Sequence, residues 1–318
     1  RLEDLRAVLD ATNPGLLGSA ASFRDTFAVP VEKLGHSEPA RRLAIVTRPF
    51  VLRRVKTDPA VAGDLPEKIE MTVRANLTLE QAGLYQAVVD AMLKSLESAE
   101  GRERRGLVLA TLTRLKQICN HPAHYLGDSS SVLHRGRHRS GKLQLLDDVV
   151  TSARSEGEKV LCFTQFAEFG RLLTPHLSEL TGEPVSFLHG GVARRARDAM
   201  VAEFSDSDGP GVMFLSLKAG GTGLNLTAAN HVVHVDRWWN PAVENQATDR
   251  AYRIGQRRSV QVRKLVSVGT VEERIDAMIT RKRELAETVV GSGEGWISDL
   301  GTDALRELVA LGADAVGE

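Results

Sequence analysis

At 318 residues, 42% hydrophobic and 26% charged, the chain has room for two domains and material for a sizeable core. The formal net charge is zero, so a uniformly basic nucleic-acid binder is excluded and any such contact has to come from local clusters. No apolar run approaches the roughly 18 residues of a membrane helix, and two cysteines suit a reducing, cytoplasmic compartment rather than a disulfide framework.

Residues 1–77 mix helical patches with breaks at Asn13-Pro14-Gly15 and Asp58-Pro59, then close on a strand-like run at 69–73. From Thr78 to about Leu126 the apolar spacing is helical, first Leu84, Val88, Met92 and Leu96, then Leu109, Leu112, Leu115 and Ile118. The Ser-, Gly-, His- and Arg-rich stretch at 128–140 predicts a mobile basic loop, so 78–140 reads as one helical part with its loop. Between 141 and 290 helices alternate with short apolar strands at 160–163, 185–188, 212–217, 231–236 and 260–266. Continuous apolar runs of that length between helices imply an α/β fold, a mostly parallel sheet with helices on both faces. A helix from Val271 to about Thr288 and a small tail, 291–318, complete the chain.

Ligands of such sheets bind at the carboxyl ends of the strands. Phe163-Thr164-Gln165, the loop Lys218-Ala219-Gly220-Gly221-Thr222-Gly223-Leu224-Asn225, and Asp236-Arg237-Trp238-Trp239 occupy those ends. After them Asn240 is a good N-cap and Pro241 fits the first helical position, which predicts a helix running to Gly255. On it Gln246, Asp249, Arg250 and Arg253 fall three or four apart and share one face. Two arginines beside a loop able to offer backbone N–H groups to an anion suit polyphosphate chemistry. Arg257, Arg258, Arg263 and Lys264 extend the basic cluster.

At these residues the chain resembles the Swi/Snf-type ATPases, the double-stranded-DNA translocase branch of the superfamily 2 helicase-like motors. Ser216-Leu217-Lys218-Ala219-Gly220-Gly221-Thr222-Gly223-Leu224-Asn225-Leu226, Trp239-Asn240-Pro241 and Asp249-Arg250-Ala251-Tyr252-Arg253-Ile254-Gly255-Gln256 are similar to that family's motifs V, Va and VI. Phe163-Thr164-Gln165-Phe166 resembles motif IV, followed by His189-Gly190-Gly191. Upstream, the strings starting at Arg48, Leu65 and Leu115, the last reading Leu-Lys-Gln-Ile-Cys-Asn-His-Pro, resemble its connecting segments.

The resemblance implies a RecA-like second lobe at 141–290, preceded by the end of the first lobe with a helical protrusion at 1–77 and a second protrusion at 78–140. It makes Arg250 and Arg253 arginine fingers and places Gly223, Asn225, Gln246 and Asp249 near ATP. DNA-backbone contacts fall to Gln165, Lys218, Gly220, Gly221, Thr222 and Trp239. A Gly-Lys-Ser/Thr phosphate loop and an acidic Mg²⁺ box are absent from these 318 residues, since Gly141-Lys142 is followed by Leu143 and reads as a helix start. Together with Arg1-Leu2-Glu3-Asp4-Leu5, which resembles the residues after motif III, this implies the C-terminal half of a longer motor. Its first lobe would bind most of the ATP and Mg²⁺. The implied partners are duplex DNA, that N-terminal lobe and a DNA-bound protein target, in the cytoplasm, or at the nucleoid if the source is bacterial.

Each feature has a plainer explanation. Gly220, Gly221 and Gly223 could make only a tight strand-to-helix turn, and Arg250 and Arg253 only surface ion pairs. Those alternatives describe a non-catalytic nucleic-acid-binding or scaffolding piece with vestigial motor motifs; a third reading is an RNA helicase lobe, disfavoured by the Arg-Ile-Gly-Gln ending. Trp238 and Trp239 are adjacent at a strand end and point opposite ways, so one belongs to the core. Cys119, His121, His124, His134 and His138 match no zinc spacing, and structural packing is the favoured reading, as it is for Cys162.

Overall fold

The computed structural model describes residues 2–32, 36–51, 65–217, 223–285, 297 and 300–317. Two compact units divide at Asp64 and Leu65. The first carries helices Leu2–Thr12, Ala20–Phe23, Val29–Glu32 and Ser37–Thr47, with a π-helical turn at Arg24–Ala28. Its helices close on a small core of Phe23, Ala28 and Leu43, packed by Leu5, Leu17 and Phe27.

The second unit is built on strands β1 (Lys68–Ala75), β4 (Lys159–Thr164), β5 (Ser186–Leu188), β6 (Gly211–Ser216), β7 (His231–His234) and β8 (Val260–Ser267), with a separate hairpin of β2 (Leu133–His134) and β3 (Arg137–His138). The six strands form one parallel sheet in the order β1-β8-β7-β4-β6-β5. Alternation along each strand splits the side chains into two cores. Leu161, Phe163, Met213, Leu215 and Val232 meet Phe204, Leu226, Ala247 and Tyr252 on one face. Val160, Cys162, Val212, Phe214 and Val233 meet Leu143, Leu146, Phe169 and Leu173 on the other. Every residue of β4 is buried, as a central strand covered on both faces must be.

Two readings of the chain need correction. The run at 69–73, expected to close the first part, is β1, paired in parallel with β8 in the register Ile69 to Gln261 and Val73 to Leu265. By contacts the chain divides at 64/65. A strand's partner is fixed by which edge is open, not by its neighbours in sequence. The 128–140 stretch, expected as a loop, holds a hairpin: β2 and β3 pair antiparallel across Arg135 and Gly136, whose φ values of 50° and 73° are the two left-handed residues a tight hairpin turn requires. Arg139 fastens it to Glu80 at 2.6 Å and to the Ser131 carbonyl at 2.6 Å.

Helices Leu79–Leu96 and Gly101–Asn120 form an antiparallel pair, followed by Pro122–Leu126. Thr78 starts the first with a capping box: its hydroxyl accepts from the Gln81 N–H at 3.2 Å, and its own N–H donates to Gln81 Oε1 at 3.1 Å. Tyr85, Val88, Met92, Leu112, Leu115 and Ile118 form their core, joined by Ile275 and by Leu305 and Val309 of the tail helix Thr302–Val309. Leu109 faces solvent instead.

The histidines near the hairpin serve packing. His121 Nε2–H donates to the Val132 carbonyl at 2.9 Å, while Nδ1 accepts from the Ala123 N–H at 3.0 Å. His124 stacks on Phe169 at 4.9 Å. His138 Nε2 and His176 Nε2 both meet Asp147, at 2.9 and 2.7 Å. Both cysteines are buried, and burial pushes the Cys119 thiol up to about 12.

Burial holds His121 and His234 down at about 4 and His124 at about 3, against 6.5 when exposed. The folded chain thus refuses protons that the unfolded chain accepts. Stability is complete above pH 6.5 and is lost as pH falls toward 4, by up to about 1.4 kcal/mol per pH unit for each histidine. His124→Phe, which keeps the stack on Phe169, should flatten the fall of melting temperature across that window. An unchanged slope would count against this account.

Candidate nucleotide and DNA interface

The predicted helix starts as expected and stops early. Asn240 Oδ1 accepts from the Ala242 N–H at 3.1 Å, and Pro241 opens helix Pro241–Thr248. From there the chain tightens into i→i−3 turns, with the Arg250 N–H on the Ala247 carbonyl at 3.2 Å and the Ala251 N–H on Thr248 at 3.0 Å. In a continuing helix the Arg250 carbonyl would accept from Ile254; instead it accepts from the Leu226 N–H at 3.0 Å. The Thr248 hydroxyl is held by His234 Nε2 at 2.9 Å. Gln246, Asp249, Arg250 and Arg253 therefore do not share a helical face. Gln246 is exposed on the helix, Asp249 is half-buried at its C-cap, Arg250 is buried at 7% exposure and Arg253 faces solvent.

That same bond joins the far end of the glycine loop to the arginine turn. Gly223, with φ of 79°, and Asn225 are exposed just before Leu226, which is buried. Lys218, Gly220, Gly221 and Thr222 lie outside the described residues. The Arg250 guanidinium carbon sits 6.0 Å from the centre of the Phe163 ring, and burial pulls its pKa down to about 10.

Gly141-Lys142 is a packing site. Ser140 caps the helix Gly141–Ser155, its hydroxyl accepting from the Leu143 N–H at 3.3 Å. A Cβ on Gly141 would lie 2.0 Å from the Asn76 carbonyl oxygen. The Lys142 ammonium is fully buried, 2.7 Å from Glu272 and 3.2 Å from Asn120 Oδ1.

The segment after β7, placed by the sequence at a ligand-binding strand end, holds partners that the sequence did not reveal. Asp236 is wholly buried; its carboxylate accepts from the Gln165 N–H at 2.9 Å, from Asn120 Nδ2 at 3.3 Å and from the Thr164 hydroxyl. Burial raises its pKa against those donors. Arg237 makes a two-pronged pair with Glu244, at 2.8 and 3.2 Å, and meets Asp276. The sequence placed Asp236 and Arg237 at a strand end but gave no sign of their partners.

Trp239, expected to face DNA, is 4% exposed in the core beneath the helical pair, with the Lys116 ammonium 3.5 Å from its ring centre. Trp238 is the half-buried member of the pair, packed against one face of the sheet. The reason is geometric: the helical pair covers the surface that a free strand end would show to solvent. Gln165 is half-buried, and its side-chain nitrogen has no hydrogen-bond partner among the described residues.

Residues 141–255 match the family described as helicase conserved C-terminal domain, and residues 1–124 match the SNF2-related domain. The C-terminal domain of the Sulfolobus solfataricus SWI2/SNF2 ATPase is 40% identical, covering 78% of this chain and 100% of that one, with a TM-score of 0.66. The chain belongs to the SWI2/SNF2 ATPase family. Its sheet is the family's RecA-like fold. The ATPase core from the same archaeon, solved in complex with dsDNA, is 41% identical over 98% of this chain and 65% of that one, with a TM-score of 0.70. A putative ATP-dependent helicase/translocase of Bacillus subtilis, YwqA, is 46% identical over 99% of this chain and 34% of its own length. The chain spans about a third of the length of the curated relatives it matches.

Proposed function

We propose that this chain is the second lobe of an ATP-dependent double-stranded-DNA translocase of the SWI2/SNF2 type. It contributes the arginines that act on the γ-phosphate and the loops that hold one DNA strand. The observation that carries the reading is the Leu226 N–H bond to the Arg250 carbonyl. It ties the glycine loop to the arginine turn, so that a shift in one is felt at the other. Gly223 and Asn225 meet the nucleotide from the loop side, while Arg250 and Arg253 stabilise charge developing on the γ-phosphate as it transfers to water. Most of the phosphate and Mg²⁺ contacts come from the family's first lobe. Support for duplex DNA as the partner comes from the archaeal ATPase core solved with dsDNA, 41% identical to this chain.

Gln165, Lys218, Gly220, Gly221 and Thr222 bind the phosphate backbone and read no bases, so affinity is independent of sequence. Trp239, enclosed in the core, contributes by holding its loop in place. The test is a titration of residues 1–318 with duplex DNA over a salt series. Neutralising three phosphates corresponds to a roughly 40-fold loss of affinity between about 50 and 200 mM salt, and Lys218→Glu should flatten the logarithmic slope by about one. A flat salt response, or a Lys218→Glu chain that binds as well as the parent sequence, would favour a scaffolding piece with vestigial motifs.

A further inference from the structure

We propose that Asn120 and Asp236 form a positioning pair that sets the Gln165 loop for the DNA backbone. This rests on the reading above that the Gln165 loop meets duplex DNA. The donors and acceptors admit one arrangement. Asp236 accepts only, and three donors surround it: the Thr164 hydroxyl, the Gln165 N–H and Asn120 Nδ2. Lys142 donates only, to Asn120 Oδ1 at 3.2 Å and to Glu272 at 2.8 Å. Between a carboxylate and an ammonium, a side-chain amide is the adapter that satisfies both, and it does so in one orientation.

The chain of bonds runs further. Glu272 Oε2 accepts from the Ser267 N–H at 3.0 Å, at the end of β8. The Ser140 hydroxyl donates to the Asn120 carbonyl at 2.6 Å, and Gln81 Nε2 donates to the carbonyls of Ile118 and Cys119 at 2.7 and 3.1 Å. The helical pair is thereby locked to the exits of β4 and β8 through groups that are all buried. At the β4 exit the bonds fix the backbone of Gln165 but leave its side-chain nitrogen buried without a partner among the described residues. Gln165 itself is half-buried at the strand end, and its side-chain amide is a donor of the kind that a phosphate oxygen accepts from. Asp236 and Asn120 touch neither DNA nor nucleotide; they act through where they hold Gln165.

An exchange of the two side chains tests this in the full-length parent. In Asp236→Asn alone, the new amide nitrogen faces donors on every side, and turning Asn120 to meet it sets Asn120 Nδ2 against the Lys142 ammonium. In Asn120→Asp alone, two carboxylates face each other. In the double variant Asn120→Asp/Asp236→Asn, the carboxylate at 120 accepts from Lys142 and from the amide at 236, whose oxygen accepts from the Gln165 N–H. Each single variant should raise the DNA concentration for half-maximal ATPase by roughly 10-fold, as expected for one misplaced buried hydrogen bond, with a smaller effect on maximal turnover. The exchange should bring it back to the parent value, and Asp236→Asn should add nothing further in a Gln165→Ala background.

Single variants that only lower the melting temperature, with half-saturation unchanged, would overturn the proposal. So would a folded double variant that stays impaired, or a double variant that does not fold. If the unaltered parent shows no DNA-dependent turnover, the reading of function fails first and this inference with it, and the wild-type control separates that case from the others.

Discussion

In the full-length parent, Arg253→Ala should lower DNA-stimulated ATP turnover by roughly 10³-fold or more while duplex binding and melting temperature stay near the parent values. Arg253 is exposed, so its removal leaves no cavity and breaks no packing. Its planar donors act on charge that exists fully only in the transition state, so kcat should fall much further than nucleotide affinity. Arg250→Ala should lose as much turnover and also lose some stability, because the side chain is buried with its guanidinium over Phe163. Holding a guanidinium out of water, with its pKa drawn down to about 10, strengthens its response to an incoming anion. Arg250→Lys keeps the charge without the fork and should remain impaired. If both arginines are structural, melting temperature will fall and turnover per folded molecule will not. Measuring the two quantities on the same preparations decides the matter.

Purified residues 1–318 should show no DNA-stimulated ATP hydrolysis above background, even at saturating DNA. Catalysis of phosphoryl transfer is positioning plus charge stabilisation, and a phosphate loop with its Mg²⁺ ligands supplies most of both. These 318 residues contain no such loop. The one Gly-Lys pair is committed elsewhere, with Gly141 pressed against the Asn76 carbonyl and Lys142 sealed against Glu272. The effect is all or none, so a colorimetric phosphate assay suffices. Turnover that rises with DNA and persists through repeated purification would refute the assignment of roles between the two lobes.

Much of this architecture was legible from residues a few positions apart. The apolar runs gave the strands of the sheet to within one or two residues, because a strand covered on both faces must be apolar throughout. Asn240 with Pro241 marked a helix start because a cap is satisfied within its own first turn. The strings around 163, 216 and 249 also sufficed for the family, since they hold their chemistry in consecutive residues.

Only the tertiary structure decided the rest. The arginine helix ends at Thr248 because Leu226, more than twenty positions away, takes the Arg250 carbonyl that helix continuation would need. The run at 68–75 joins the second unit because β8 offered it an unpaired edge. Trp239 is enclosed because the helical pair, built more than a hundred residues earlier in the chain, lies over it. Asp236 could be placed at a strand end from the sequence, but only the fold brings Thr164, Gln165 and Asn120 to its carboxylate. Caps and periodicity are satisfied by near neighbours and so are written locally. A carbonyl, a strand edge or a buried carboxylate is satisfied by whatever the fold brings to it, and local sequence does not carry that partner.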